Sequence, residues 1–176
     1  MNKAIFALAL ILLHAPTYAQ SVKALLTTNP LIETDTGTEL KFDSIEFDFL
    51  IKSPPVAGPG IGIEIDLVSL LQNGVFVAPI AGTYAAYGQI AYEENGNGSE
   101  RSLYVVKHAP DGTTLDNIAI IETSCQQIRT LHIITLQIHA FAALKRGEYL
   151  TFNAYQNSGI PLHVIGSATW AVMVKM

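Results

Sequence analysis

The chain has 176 residues, of which 10 are basic and 15 acidic, so its formal net charge is −5 with neutral histidines. This length predicts one domain of ordinary size with short appendages. The acidic balance disfavours nucleic acid as a partner, because phosphates are bound mainly through lysine and arginine. Cys125 is the only cysteine, which excludes a disulfide within the chain. Stability must therefore come from a large core or from other subunits. Cys125 itself is interpreted as a small buried residue, with a thiol pairing between chains as the alternative.

Residues 1–19 have the features of a secretory signal peptide. Lys3 supplies a small positive region, residues 4–13 are an unbroken apolar run, and Thr17 and Ala19 are small residues where a signal peptidase cleaves. An uncleaved membrane anchor is the alternative, but this run falls well short of the roughly 20 apolar residues that span a bilayer. We therefore expect cleavage after Ala19, a secreted protein and no transmembrane segment in the mature chain.

Residues 20–38 are interpreted as an extended N-terminal arm outside the domain, which then spans residues 39–176. They contain Asn29-Pro30 and several threonines but show no sustained hydrophobic period. Residues 40–52 alternate in part and predict a half-buried strand. Residues 61–67 alternate more cleanly and predict a further strand.

Residues 75–92 contain two apolar alternating runs with Pro79 and Gly82 between them. Proline and glycine favour a tight turn, so the pattern predicts a buried hairpin. The even positions of its second strand share one face, because successive side chains of a strand point to opposite sides. These positions are Tyr84, Ala86, Gly88, Ile90 and Tyr92. Just before this stretch, Asn73-Gly74 predicts a tight hairpin turn of its own.

The second half of the chain alternates more regularly. Pro110-Asp111-Gly112 predicts a turn, and residues 111–130 are mostly polar and predict a loop with one short strand. Residues 130–144 present one continuous apolar face and one mixed face, and residues 149–155 bury alternate positions. The mixed face carries Ile133, Thr135, Gln137, His139 and Phe141. The last predicted strand aligns Trp170, Val172 and Val174.

Roughly eight short strands with frequent turn signals and no persuasive helix predict an all-β chain, folded as a two-sheet antiparallel sandwich or jelly roll. Several strands are apolar or aromatic on both faces, although a sandwich exposes the outer face of each sheet. Large exposed apolar patches are unusual on monomers, so we expect another subunit to cover one outer surface. The residues expected in this interface are Tyr87, His139, Phe141, Tyr149 and Tyr155.

Three motifs together resemble those of the C1q/TNF-like globular domain. They are Phe76-x-x-Pro79-x-x-Gly82-x-Tyr84, then Leu144-Lys145-Arg146-Gly147-Glu148-x-Leu150, then Tyr155-Gln156-Asn157-Ser158-Gly159. The resemblance implies a jelly roll that assembles as a homotrimer and works as a non-catalytic recognition head. The chain has no Gly-x-y collagen stalk, and Trp170-Ala171-Val172 stands where the family usually has a Phe-x-Gly pattern. Both departures indicate an atypical or microbial branch of the family.

The candidate ligand-binding residues lie in polar loops. They are Asn95, Asn97, Glu100, Asp111 and Asp116. Loops on a rigid scaffold commonly carry binding residues, and an extracellular protein or a glycan is the expected ligand class. The alternative is a structural or adhesive subunit of an exported assembly, attached through residues 20–38.

No cofactor is expected, and two metal sites are the alternatives. His132 and His139 cannot share an ion within one chain, because seven residues of extended strand separate them by about 23 Å and place them on opposite faces. Three copies of His139 at a trimer axis remain an alternative to a plain surface histidine. Asp111 and Asp116 form an acidic loop that resembles a calcium site in residue type, although its spacing does not match an EF-hand.

The sequence does not predict an enzyme. It has no G-x-S-x-G elbow, and no base lies next to Cys125. Asp48 and Glu64 are the carboxylates that a carbohydrate-active jelly roll would use, which is the least favoured alternative.

Overall fold

Alternating apolar residues form thirteen strands within the part of the chain that the computed structural model describes, namely residues 20–50, 71–93, 99–125 and 133–176. The strands are β1 (Gln20–Leu25), β2 (Leu31–Ile32), β3 (Thr38–Leu40), β4 (Ser44–Leu50), β5 (Leu71–Gln72), β6 (Val75–Val77), β7 (Gly82–Glu93), β8 (Ser99–His108), β9 (Thr114–Cys125), β10 (Ile133–Leu144), β11 (Tyr149–Gln156), β12 (Leu162–His163) and β13 (Trp170–Lys175). The predicted signal peptide and the predicted strand at residues 61–67 lie outside the described residues.

The strands form two antiparallel sheets. The five-stranded sheet has the order β10-β7-β13-β1-β4, and the six-stranded sheet has the order β5-β6-β11-β8-β9, with β3 also paired to β11. Strands β2 and β12 form a separate small pair. Neighbours in each sheet are mostly distant in sequence, as in a jelly roll, so the predicted all-β sandwich is confirmed.

The core lies between the two sheets and is filled by the faces that the sequence predicted. In β7, Tyr84, Ala86, Ile90 and Tyr92 are almost completely buried, and in β11 so are Leu150, Phe152 and Ala154. At its centre Phe42, Phe76 and Phe152 pack edge to face or tilted, with each pair of ring centroids 5.9 Å apart. Such offset aromatic contacts add to the stabilisation from burial.

The predicted hairpin at residues 75–92 is wrong, because its two strands belong to different sheets. Strand β6 pairs with β5 and β11, whereas β7 pairs with β10 and β13. Pro79 therefore lies in a connection that crosses from one sheet to the other. The hairpin at Asn73-Gly74 is confirmed: both residues have positive φ, of 51° and 80°, and they join the paired residues Gln72 and Val75.

The loop predicted at residues 111–130 is also wrong, because β9 occupies residues Thr114–Cys125. This strand lies at the edge of the six-stranded sheet and is largely exposed. Its register with β8 shifts twice, so the inward and outward positions do not alternate strictly. A polar, irregular edge strand has the sequence signature of a loop, which explains the error.

The position of β1 contradicts the prediction that residues 20–38 form an arm outside the domain. This strand lies inside the five-stranded sheet, paired with β13 on one side and β4 on the other. Its residues Val22 and Ala24 are fully buried. Further along, β3 pairs with β11, so residues 20–38 contain strands separated by turns and belong to the sandwich. A six-residue strand followed by Pro30 is too short for its period to be recognised in the sequence.

Candidate functional site

The outer surface of the five-stranded sheet collects three of the five predicted interface residues. Tyr87 on β7 lies directly opposite His139 on β10, and Phe141 lies opposite Ala85. Phe141 is 58% exposed and Tyr87 39% exposed. Single exposed apolar side chains are common on protein surfaces, so what matters is whether these residues belong to a contiguous patch.

Strand β13 extends the same surface on the other side of β7. Val172 lies opposite Tyr87 and Val174 opposite Ala85, while Trp170 lies opposite Gln89. These three β13 residues are half-buried, whereas Ala171 and Met173 between them are in the core. We call Tyr87, His139, Phe141, Trp170, Val172 and Val174 the apolar face.

Two hydrogen bonds and one cation–π contact frame the apolar face. The Gln137 Nε2 amide donates to Gln89 Oε1 at 2.7 Å, and Gln89 Nε2 donates to the Ala168 carbonyl at 2.9 Å. On β1, the Lys23 ammonium lies over the Trp170 ring, 5.5 Å from its centroid. The face is therefore mostly apolar, with neutral amides and one cation at its margin.

The other two predicted interface residues lie on the opposite outer surface. Tyr149 and Tyr155 belong to β11 of the six-stranded sheet. The Tyr149 ring stacks on His108 at a centroid distance of 4.8 Å, and the Tyr155 hydroxyl donates to Asp35 Oδ1 at 3.3 Å. Partial burial and the neighbouring Asp35 carboxylate raise the pKa of Tyr155. The prediction that all five residues share one surface is therefore wrong.

The predicted ligand loops also separate, to the two ends of the sandwich. Glu100 lies near the start of β8 and Asp111 just after its end, so most of this strand, about 30 Å, lies between them. At the Glu100 end of the sandwich, the backbone N–H of Glu100 donates to Asn157 Oδ1. Asn95 and Asn97, which precede this strand, lie outside the described residues, and Asp116 is exposed on β9.

At the end that contains Asp111, three connections contact one another, and we call residues 78–81, 109–113 and 145–148 the loop cluster. The Gly147 N–H donates to the Ala78 carbonyl at 2.8 Å, and the Ala78 N–H donates to the Glu148 carbonyl at 2.9 Å. Gly147 has a φ of 82° and lies close to Pro110, so a side chain there would be strained. Asp111, Lys145 and Arg146 are exposed around this rigid base.

An ion pair between half-buried Lys107 and buried Glu148 holds the loop cluster to both sheets. The Lys107 ammonium lies 2.8 Å from Glu148 Oε2 and also donates to the Ala143 carbonyl on β10 at 2.8 Å. The same Glu148 oxygen accepts the backbone N–H of Lys145 at 2.8 Å. The hydrogen bond from Lys107, followed by that from Lys145, lowers the pKa of Glu148 despite its burial. The pair therefore stabilises the fold only when Glu148 is ionised.

Acid should remove this stabilisation. A carboxyl with a lowered pKa in the folded state contributes stability above its ordinary value near 4.5, and this contribution is lost as the pH falls through the lowered value. We expect the Glu148→Gln variant to be less stable than the wild type at pH 7 and to lose less stability between pH 5 and pH 3. Thermal unfolding midpoints across that range measure the effect. Glu122→Gln, on the exposed strand β9, is the control, and an unchanged acid profile for Glu148→Gln would contradict the argument.

Asp111, one of the two acidic residues predicted for a calcium loop, lies in a turn. The Asp111 Oδ1 atom accepts the backbone N–H of Thr113 at 2.9 Å, which lowers the pKa of Asp111 and closes the turn that the sequence predicted. Within the described ranges, no three histidine, cysteine, aspartate or glutamate side chains are close enough to hold an ion. His132 and Glu64 lie outside those ranges, as do the side chains of Asp48 and Cys125.

Sequence reasoning missed two parts of these surfaces. It aligned Trp170, Val172 and Val174 but did not assign them to the interface. The available signal was the small residue Ala171 between them, which marks the opposite side of the strand as the core side. It also named Lys145 and Arg146 only within a motif of the resemblance, because contacts between distant loops have no local signature.

No protein-family model and no curated protein sequence matches the chain. Solved structures do match it. The Eiger TNF of S. frugiperda is 14% identical over 90% of this chain and 92% of its own, with a TM-score of 0.57. Murine APRIL, solved at pH 5.0, is 13% identical over 90% of this chain and 99% of its own, with a TM-score of 0.60. At this identity the likeness concerns the fold alone, and the chain has the jelly-roll sandwich fold of TNF-like domains.

Within the described ranges, no helix is both long and apolar enough to cross a membrane.

Proposed function

We propose that the chain is a secreted, non-catalytic recognition module that works as a homotrimer and binds an extracellular protein through its end loops. The observation that carries this proposal is the apolar face. Tyr87 and Phe141 are well exposed in the single chain, and half-buried Trp170, Val172 and Val174 continue the surface across three adjacent strands. Burial of such aromatic and aliphatic side chains is the main source of affinity between subunits.

A second apolar surface on the same chain suggests how copies would meet. Among the described residues, strand β9 is the end strand of the six-stranded sheet, and its Leu115 and Ile120 are 48% and 61% exposed. A contact between this edge and the apolar face of the next copy uses two different surfaces. Such head-to-tail contacts form closed rings when the rotation closes. That the ring contains three copies is inferred from the resemblance to TNF-like domains.

The loop cluster is the surface that we assign to ligand binding. Its base is rigid, because the backbone hydrogen bonds at Ala78 and Gly147 and the Lys107–Glu148 pair connect the loops to each other. It presents Asp111, Lys145 and Arg146 to solvent together with Ile80, which is 36% exposed. Charges of both signs beside an apolar side chain suit a protein partner better than a polyanion. The alternative of attachment through residues 20–38 loses its basis, because β1 and β3 lie within the sheets.

Assembly can be tested with one substitution on the apolar face. We expect the mature chain to sediment as a trimer at micromolar concentration and Phe141→Asp to sediment as a monomer, because a buried carboxylate without a partner is strongly unfavourable. Sedimentation velocity at pH 7.5 measures both. Tyr149→Asp, on the opposite outer surface, is the matched control and should remain a trimer. A wild-type chain that is monomeric at this concentration would refute the proposal.

A further inference from the structure

We propose that self-association through the apolar face is pH-dependent, with His139 as the group that weakens it in acid. This inference rests on the proposed homotrimer and adds a regulatory property to it. It starts from the composition of the face, in which one histidine lies among aromatic and aliphatic side chains.

His139 lies at mid-height of the apolar face, level with Tyr87 and Val172, on β10, which is the end strand of the described sheet. It is in the central part of the twelve-residue strand β10, directly opposite Tyr87, and Val172 lies on the far side of Tyr87. Along β10 its neighbours on the same side are Gln137 and Phe141, because side chains two residues apart point in the same direction. The imidazole is exposed in the single chain, so another copy that covers the face also covers His139.

Among the described residues of this sheet, no charged side chain lies close enough to pair with a protonated His139. Strand β10 (Ile133–Leu144) has no Asp, Glu, Lys or Arg, and Lys23 on β1 lies three strands away, about 14 Å across the sheet. Glu93 and Lys175 lie at strand ends. The backbone positions of Glu46 and Asp48, on β4, are four strands away, roughly 19 Å. Tyrosine and lysine ordinarily keep one charge state between pH 5 and pH 8.

Protonation therefore favours separate chains. Histidine is the side chain whose charge normally changes between pH 5 and pH 8. An imidazolium that loses water in an apolar interface is unfavourable without a partner anion, whereas a neutral imidazole is tolerated. The β9 edge of the next copy also exposes Asp116 and Glu122, and we place both at the rim of the contact, out of reach of His139. Each trimer has three copies of His139, so its formation in acid releases up to three protons. By linkage, the association constant then falls by up to about 1,000-fold for each pH unit below the normal titration range of histidine.

The test is sedimentation velocity of the full mature chain at pH 7.5 and pH 5.5 in the same salt. We expect trimers at pH 7.5 and a shift to smaller species at pH 5.5 at the same protein concentration. His139→Gln stays neutral and should remain a trimer at both values. His139→Lys keeps a permanent charge and should be dissociated at both. His163→Gln, which changes an exposed histidine on β12, is the matched control and should respond to pH like the wild type.

The outcomes separate this inference from the proposed function. A wild-type trimer that is unchanged at pH 5.5, or a His139→Gln trimer that still dissociates there, overturns the role of His139 and leaves the trimer proposal standing. Tighter association at pH 5.5 also overturns it, since a carboxylate of another copy, such as Glu122 on β9, would then meet the imidazolium. A monomer at pH 7.5 overturns both. Far-UV circular dichroism at both pH values confirms that each variant is folded.

Discussion

Replacement of Phe152 by alanine is expected to lower the free energy of unfolding by about 3–5 kcal/mol, the usual cost of removing a buried phenylalanine ring. Phe152 is 1% exposed and contacts both Phe42 and Phe76 at centroid distances of 5.9 Å. Its ring also lies against Gly88 on the facing sheet, where an added Cβ atom would lie 2.5 Å from Phe152 Cε1. The ring therefore connects the two sheets, and its removal leaves a cavity between them. A single domain typically has only about 5–15 kcal/mol of stability in total.

A double-mutant cycle tests the packing of Phe152 against Gly88. Gly88→Ala alone should destabilise the protein, because its methyl group collides with the ring. In the Phe152→Ala background the same change should be nearly neutral, because the methyl group then enters the vacated space. Urea unfolding at one protein concentration gives all four free energies. Additive effects would contradict the contact between these residues.

Removal of residues 20–38 is expected to prevent folding rather than merely detach an arm. Strand β1 pairs with β13 and β4 in the five-stranded sheet, and Val22 and Ala24 are fully buried there. Without it, β4 has no described partner in this sheet and β13 becomes an exposed edge. Thermal unfolding of chains 20–176 and 39–176, followed by circular dichroism, measures the effect. The shorter chain should show no cooperative transition.

Two single substitutions in β1 are the controls for this deletion. Val22→Asp places a carboxylate in the core and should reproduce the loss of folding. Lys23→Gln, on the opposite side of the same strand, should keep the cooperative transition. A synthetic peptide of residues 20–38 should restore the fold of chain 39–176 by supplying the missing strand. If chain 39–176 unfolds cooperatively by itself, β1 is dispensable and the interpretation of these residues as an arm regains support.

The sequence predicted most about β10 and β11, where every second position is apolar along all or nearly all of the strand. The positions predicted to be buried in β10, such as Leu136, Ile138 and Ala140, are buried. It predicted least about β1, which is short, and about β9, where two register shifts interrupt the alternation. Both errors arise because a short or irregular strand is identified by its neighbours in the sheet, and these are distant in the chain.

The sequence by itself determined the all-β class, the core side of each regular strand and the turn at Asn73-Gly74, because these depend on side-chain alternation and on local backbone preferences. Only the tertiary structure decided which strands share a sheet, because pairing joins residues far apart in the chain. Pairing brought Tyr87 and His139 together and left Tyr149 and Tyr155 on the opposite outer surface. It also separated Glu100 from Asp111 by most of the length of β8. Alternation indicates that a side chain faces outward, but the surface it then occupies depends on the position of its strand in the sandwich.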